Sequence, residues 1–340
     1  MDRIICFGEI MMRLNPEGYL RLVQSDRLVV SYAGGEANVA VSLANYGKNV
    51  AYITKVPEHE IGQACVNELR RFGVDTSGII RGGSRLGIYF LEKGASQRGS
   101  KVIYDRSDSA IALAEPSEFD WEKIFAGANW FHFTGITPAL GDNMAAACLK
   151  ACQTAKKLGI KISCDLNYRK KLWTKEKAGQ VMSELVPYVD LCIANEEDAG
   201  DVFGIVSQDT DIQTGKLSKE GYIQVAETLS KRFGCSQVAI TLRGSISASD
   251  NRWAGMLYQD GNTWFSPEYL IRIVDRVGGG DAFGGGLIYA MLEGVAPQDA
   301  IDFAVAASCL KQTIEMDLNQ VSVSEVKNLM AGNASGRVQR

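Results

Sequence analysis

Val274-Asp275-Arg276-Val277-Gly278-Gly279-Gly280-Asp281-Ala282-Phe283-Gly284-Gly285-Gly286-Leu287 sets six glycines around Asp281. Gly278, Gly279 and Gly280 tolerate positive φ and leave no Cβ between backbone N–H groups and a ligand, so their amides can converge on one negative group. Beyond them Ala282, Leu287, Ala290, Met291 and Leu292 keep a helical period up to Gly294. The glycines therefore stand at a helix N-terminus, where orphan N–H groups and the dipole favour anions. A carboxylate in such a place repels the ligand its neighbours attract. Asp281 reads either as the N-cap of the helix or as a general base. As a base it would take the proton of a hydroxyl while the amides hold the phosphoryl group which that hydroxyl attacks. Three glycines exceed what a cap needs, and Gly284-Gly285-Gly286 costs the helix about 1 kcal/mol per residue relative to Ala. Something must approach this first turn closely.

The stretch resembles the D-T-x-G-A-G-D signature of the ribokinase (PfkB) family of carbohydrate kinases. Asp275, Gly278, Gly280 and Asp281 fall on its fixed positions, while Arg276 replaces the usual Thr and Gly279 the usual Ala. The resemblance implies that Asp281 is the catalytic base and that Gly278, Gly279 and Gly280 form the anion hole, Gly278 and Gly280 also contacting ATP. A second glycine turn, Gly34-Gly35 before Asn38 and Ala40 with Gly62 downstream, resembles the family's first signature. It implies that Gly34, Gly35 and Asn38 hold sugar hydroxyls.

Outward from these motifs, Ile4 to Phe7 reads as a first strand and Met11 to Ser31 as short extended strands. Gly87 to Glu92 and Lys101 to Asp105 form a hairpin with little local core. Segments 12–32 and 84–110 together resemble the family's β lid, which covers the sugar, excludes competing water and joins subunits into a homo-oligomer. Residues 1–11, 33–83 and 111–340 are assigned to the main unit. After about residue 110 strand and helix alternate: Trp130 to Phe133, Asp142 to Leu158, Ile160 to Asp165, Lys175 to Val186, Leu191 to Ala194. That alternation predicts a mainly parallel sheet covered on both faces, with ligands beyond the carboxyl ends of its strands. The expected fold is a ribokinase-like three-layer α/β/α unit with a small β-sheet lid.

Three further segments lie at such strand ends. Asp165-Leu166-Asn167-Tyr168-Arg169 contributes Asn167 to the ATP side and Arg169 to the cleft. Asn195-Glu196-Glu197-Asp198 resembles the family's N-x-x-E motif, which implies that Asn195 and Asp198 order Mg2+ through water and that Asn195 meets the nucleotide phosphates. Thr241 and Gly244 match the place where the family borders ATP, and Arg243 between them, which departs from the family's usual glycine-rich continuation, is assigned to the ATP side with them. Arg106 and Arg169, if both reach the cleft, suit a sugar that carries a carboxylate, because guanidinium forks match carboxylate geometry. Tyr89, Tyr104, Arg106 and Arg169, with Asp317 more loosely, match the acid-sugar contacts of the 2-keto-3-deoxygluconate kinase branch. The function implied is ATP-dependent phosphorylation of the terminal primary hydroxyl of a keto-deoxy sugar acid. The alternatives are a neutral-sugar kinase for fructose or ribose and a sugar-binding regulator without catalysis.

Composition narrows the field. With 36 basic and 40 acidic residues the net charge is −4, so no overall field attracts nucleic acid or an anionic membrane. No apolar run is long enough for a membrane helix and no signal-peptide core follows Met1, which predicts a soluble cytoplasmic protein. The eight cysteines are scattered among apolar neighbours and read as reduced core thiols. Two histidines, His59 and His132, leave zinc or His-assisted chemistry little to build on, and His132 within Trp130-Phe131-His132-Phe133 reads as a core residue. The P-loop pattern is absent, and the triple glycine does not follow the first strand as it would in a dinucleotide-binding enzyme.

Overall fold

The computed structural model describes residues 2–195, 197–206 and 218–333. Its backbone is a nine-stranded sheet, whose parallel part runs Asn49–Ile53, Arg3–Phe7, Trp130–Thr134, Lys161–Asp165, Leu191–Ala194 and Gln237–Ser245. Asp250–Gln259 then pairs antiparallel with Gln237–Ser245, and Asn262–Phe265 and Tyr269–Arg272 both pair with it. Side chains alternate between the faces as the two-residue period of a strand requires. Ile5, Phe7, Phe131, Phe133, Val238 and Ile240 enter one core, with the helices Asp142–Lys157, Lys175–Leu185 and Lys219–Phe233. Ile4, Cys6, Trp130, Ile193 and Ala239 enter the other, with Gly35–Asn45, Gly279–Leu292 and Pro297–Lys311. Both faces are covered, which is why these strands read as near-continuous apolar runs.

A separate four-stranded sheet is ordered Val29–Ala33, Met11–Asn15, Ile88–Glu92, Lys101–Asp105, with a parallel central pair between two antiparallel ones. Its alternation is clean at the edge. Val102 and Tyr104 turn toward the cleft, whereas Lys101, Ile103 and Asp105 face solvent.

The glycine triplet inside the long helix is explained by neighbouring helices. A Cβ at Gly285 would sit 2.8 Å from the Ser42 Cβ on Gly35–Asn45, and one at Gly286 would sit 3.1 Å from the Ala304 Cα on Pro297–Lys311. The close approach expected from sequence is thus made by protein, and it clamps the second turn of Gly279–Leu292 from two sides. All eight cysteines are free and buried. His132 is a core residue whose Nδ1 lies 2.9 Å from the Ser163 Oγ, and burial pulls its pKa down to about 3. Among the described residues no helix is long and apolar enough to cross a membrane.

Candidate active site

The parallel strands change direction of build-up at Arg3–Phe7, which has a later strand on either side, and ligands of such sheets gather beyond the carboxyl ends near that switch. There Asp165, Asn167, Arg169, Asn195, Thr241, Arg243 and Gly278 to Asp281 share one cavity of about 400 Å³. The segments singled out from sequence converge.

Gly278 caps the helix with φ +82, a left-handed geometry in which a Cβ would also overlap the Asp317 carbonyl. The Gly279 N–H turns back to the Arg276 carbonyl at 3.2 Å, and the helix ladder begins with Ala282 donating to the Gly278 carbonyl at 2.9 Å. The amide of Gly279 is therefore spent, whereas those of Gly278, Gly280 and Asp281 keep no such backbone partner and are the donors left for a ligand. A Cβ at Gly280 would meet nothing within 4 Å, so the approach to these amides is open.

Asp281 does not cap the helix. Its Oδ2 accepts from the Asn38 Nδ2 at 2.6 Å, and its Oδ1 lies 3.6 Å from where a Gly35 Cβ would be. Burial, with Asp317 and Glu36 nearby, pushes its pKa up to about 7, against the opposing pull of the Asn38 hydrogen bond and of Arg169. A carboxylate so tuned is half ionised near neutral pH, which suits a proton acceptor. Asn38→Ala removes the hydrogen bond to the charged form. Its acid limb in the pH profile of kcat/KM should move up by about one to two pH units, since such a bond contributes roughly 1.5–3 kcal/mol. An unmoved limb would mean that another group controls it.

Asn167 adopts φ +40, and its N–H reaches the Asp165 Oδ1 at 3.2 Å, a turn that asparagine tolerates well. Asp198 fixes this turn by accepting from the Tyr168 N–H at 3.0 Å with Oδ1, while its Oδ2 takes the Asn195 N–H at 3.2 Å. The Asn195 Oδ1 in turn accepts from Glu197 at 2.8 Å and Asp198 at 3.0 Å. Both side chains are spent on backbone donors, so neither offers a free oxygen for direct metal coordination. Asp165 does face the cavity, and burial together with Asp198 and Asp281 raises its pKa well above the ordinary value. Arg169 is the cation that draws down the pKa values of Asp165, Asp198 and Asp281, and Asp165 and Asp281 are the carboxylates on the cavity wall, where a divalent cation arriving with a polyphosphate would meet them. Among the described residues no group of three acidic, His or Cys side chains could hold a metal unaided.

Several expected contacts differ. Tyr89 donates from its hydroxyl to the Asp317 Oδ2 at 2.7 Å, and Asp317 also pairs with Arg13, which reaches the Asp275 Oδ2 at 2.6 Å. All four side chains are buried, so Tyr89 and Asp317 brace the cradle from behind and do not line either cavity. Arg106 is anchored by a buried carboxylate: its Nε donates to the Glu9 Oε2 at 2.8 Å, its Nη2 meets the same oxygen, and Ser109 holds the Glu9 Oε1 at 2.6 Å. Its guanidinium carbon lies 5.5 Å from the centre of the Tyr104 ring. Gly34 presses on the Glu9 carbonyl and Gly244 on the Arg252 side chain. Neither lines the cavity, whereas Thr241 and Arg243 do.

Sequence reasoning missed Arg276, Asn251, Trp253 and Gln312, which complete the cavity wall. Arg276 looked like a departure from a motif, yet it brings a guanidinium to the cavity, its Nη2 donating to the Ser247 and Ala248 carbonyls at 3.3 Å. Glu36 was missed too. Its Oε1 accepts from the Thr134 N–H at 3.0 Å and from the hydroxyls of Thr134 and Thr137 at 2.7 and 2.6 Å, which ties the helix that carries Asn38 to a strand end.

A second cavity adjoins the first and shares Val102, Tyr104 and Arg169 with it; Arg106, Tyr168, Lys170 and Lys171 extend its wall. The cleft thus has the Asp281 carboxyl at its centre, helix amides beside it and a basic compartment under the small sheet.

Known proteins resemble this chain over nearly its whole length. The pattern of the pfkB family carbohydrate kinases matches residues 1–314. A 2-dehydro-3-deoxygluconokinase structure from Thermotoga maritima is 48% identical and superposes with a TM-score of 0.94, covering 97% of this chain and 98% of that one. A 2-dehydro-3-deoxygalactonokinase from Haloferax volcanii is 32% identical over 333 residues, 98% of each chain. A 2-dehydro-3-deoxygluconokinase from Thermoproteus tenax is 29% identical over 91% of this chain and 88% of its own. Matched by the family pattern over residues 1–314 and by these relatives over nearly its whole length, this chain belongs to the pfkB family of carbohydrate kinases.

Proposed function

We propose that this kinase transfers the terminal phosphoryl group of ATP to the terminal primary hydroxyl of 2-keto-3-deoxygluconate. The observation that carries the acid-sugar reading is the basic compartment that holds Arg106 and Arg169 and opens through Tyr104 onto the Asp281 cavity. A sugar spanning the two spaces sets its carboxylate against the guanidinium ends and its far hydroxyl at Asp281. Asp281 takes the hydroxyl proton, and the amides of Gly280 and Asp281 face the oxygens on which charge accumulates. Asn38 holds the base ionised, and Gly35 leaves room beside it. Arg276, Arg243, Thr241 and Asn195 line the nucleotide side. When bound, ATP would supply the phosphoryl group and Mg2+ would neutralise its charge, with Asp165, Asp198 and Asn195 as the residues that would hold the hydrated ion.

The small sheet acts in this reading as a lid and as a docking face for a second copy. Strand register puts Leu14, Val30, Phe90 and Ile103 in one row on its outer side, with Val30 and Ile103 exposed, which favours a homo-oligomer through the lid. Val30→Asp should then shift the light-scattering mass toward the monomer, and an unchanged mass would place the interface elsewhere. Buried, unpaired cysteines suit a reducing compartment, and we place the reaction in the cytoplasm.

The test is the product. Incubation with ATP, Mg2+ and 2-keto-3-deoxygluconate should give a phosphorus resonance split by a CH2 group, the mark of an ester on the terminal primary hydroxyl. A phosphorus split by a single CH proton, or no ester at all, would exclude this reading.

A further inference from the structure

Lys311 ends the helix Pro297–Lys311 with 0% of its surface exposed. A buried ammonium is costly unless every donor is satisfied. Its three N–H groups meet three backbone carbonyls: Asp275 at 3.2 Å, Met316 at 2.5 Å, and Val277. No carboxylate oxygen touches it. Asp275 and Asp317 stand nearby but give their oxygens to Arg13, Tyr89 and the Val277 N–H. Two cations, Arg13 and Lys311, thus offset two anions in a space closed to solvent.

The carbonyls that Lys311 gathers belong to both walls of the anion cradle. Asp275 and Val277 lead into Gly278. Met316, at φ +65, begins the turn whose next residue presses its carbonyl on Gly278. A trans peptide is planar, so a carbonyl aimed at Lys311 aims the following N–H the opposite way. Holding the Val277 carbonyl therefore directs the Gly278 N–H away from Lys311, and Gly278 lines the cavity. Without the lysine stem, what remains is a cage of convergent carbonyl oxygens backed by carboxylates, the donor set that a hard monovalent cation takes.

We propose that Lys311 is a built-in monovalent cation, a positioning residue whose ammonium sets the anion cradle, and that turnover consequently needs no soluble K+ or NH4+. The activity readout rests on the phosphoryl-transfer reading above, whereas the melting readout does not. Wild-type kcat should be the same in potassium, ammonium and tetramethylammonium buffers. Lys311→Ala should lose about ten- to a hundred-fold in kcat in tetramethylammonium, the scale of a small misplacement of catalytic groups. It should regain much of that loss in ammonium or potassium, and its Tm should rise with those ions while the wild-type Tm does not. Lys311→Met fills the stem volume without charge, and should be slow and unresponsive to every cation. Wild-type turnover that requires potassium would overturn the proposal. So would a Lys311→Ala variant whose rate and Tm ignore all cations, or a Lys311→Met variant with wild-type kcat. If the wild type fails to phosphorylate the acid sugar, the melting comparison still decides the point.

Discussion

Asp281→Asn is expected to lower kcat by about 10²–10⁴ while both substrates still bind, because it removes the proton acceptor and keeps the shape. The same variant should be more stable than the wild type in alkaline buffer. An unfolded Asp titrates near 3.8, whereas this one is pushed up to about 7. Between those values the folded state keeps a proton that the unfolded chain has lost, so the group's favourable contribution is complete at low pH and disappears as pH rises to about 7. The Tm advantage of Asp281→Asn should accordingly grow from pH 4 to pH 7 and then level off. Near wild-type turnover in Asp281→Asn would remove it as the base, and a pH-independent Tm difference would contradict the burial that raises its pKa.

Arg169→Ala should depress kcat/KM for a keto-deoxy sugar acid about ten- to a hundred-fold, the size of one lost charge-assisted hydrogen bond. Any fructose activity should change much less. Arg169 also draws down the pKa values of Asp281, Asp165 and Asp198, so at neutral pH its loss would handicap every substrate alike. The comparison belongs at pH 8.5 or so, roughly 1.5 units above the point where Asp281 is half ionised, where that second effect fades. Arg106→Ala is a poorer probe than its position in the sequence suggests. It strands Glu9, which is 2% exposed, and an unpaired buried charge costs about 3–5 kcal/mol of stability. Equal losses on acid and neutral sugars in Arg169→Ala, measured at that pH, would count against a carboxylate contact.

What could be read from the sequence was local or periodic. The glycine run announced a helix N-terminus, and the strand and helix alternation after residue 110 announced a parallel sheet whose carboxyl ends carry Asp165, Asn195 and Thr241. What escaped was tertiary pairing. Nothing in the spacing tells that Glu9 anchors Arg106 from 97 residues away, or that Arg13 binds Asp275 and Asp317 across 262 and 304 residues. Tyr89 and Asp317 carry the right chemistry for a sugar site, yet they satisfy one another in the interior. Arg276 was weighed only as a missing Thr hydroxyl, because its value lies in the wall that it completes with Arg243. Gly279 closes a tight turn onto Arg276 and so spends its own amide, a detail of backbone geometry that three identical glycines do not disclose.

The central claim is that the compartment beside Asp281 selects a sugar by its carboxylate. The direct measurement is kcat/KM, from coupled ADP release, for 2-keto-3-deoxygluconate, its galacto epimer, fructose and ribose under one condition. Two guanidinium contacts of roughly 1.5–3 kcal/mol each should place the acid sugars at least about a hundred-fold above the neutral ones. Fructose or ribose turned over as efficiently as the acids would contradict the claim and make this a neutral-sugar kinase.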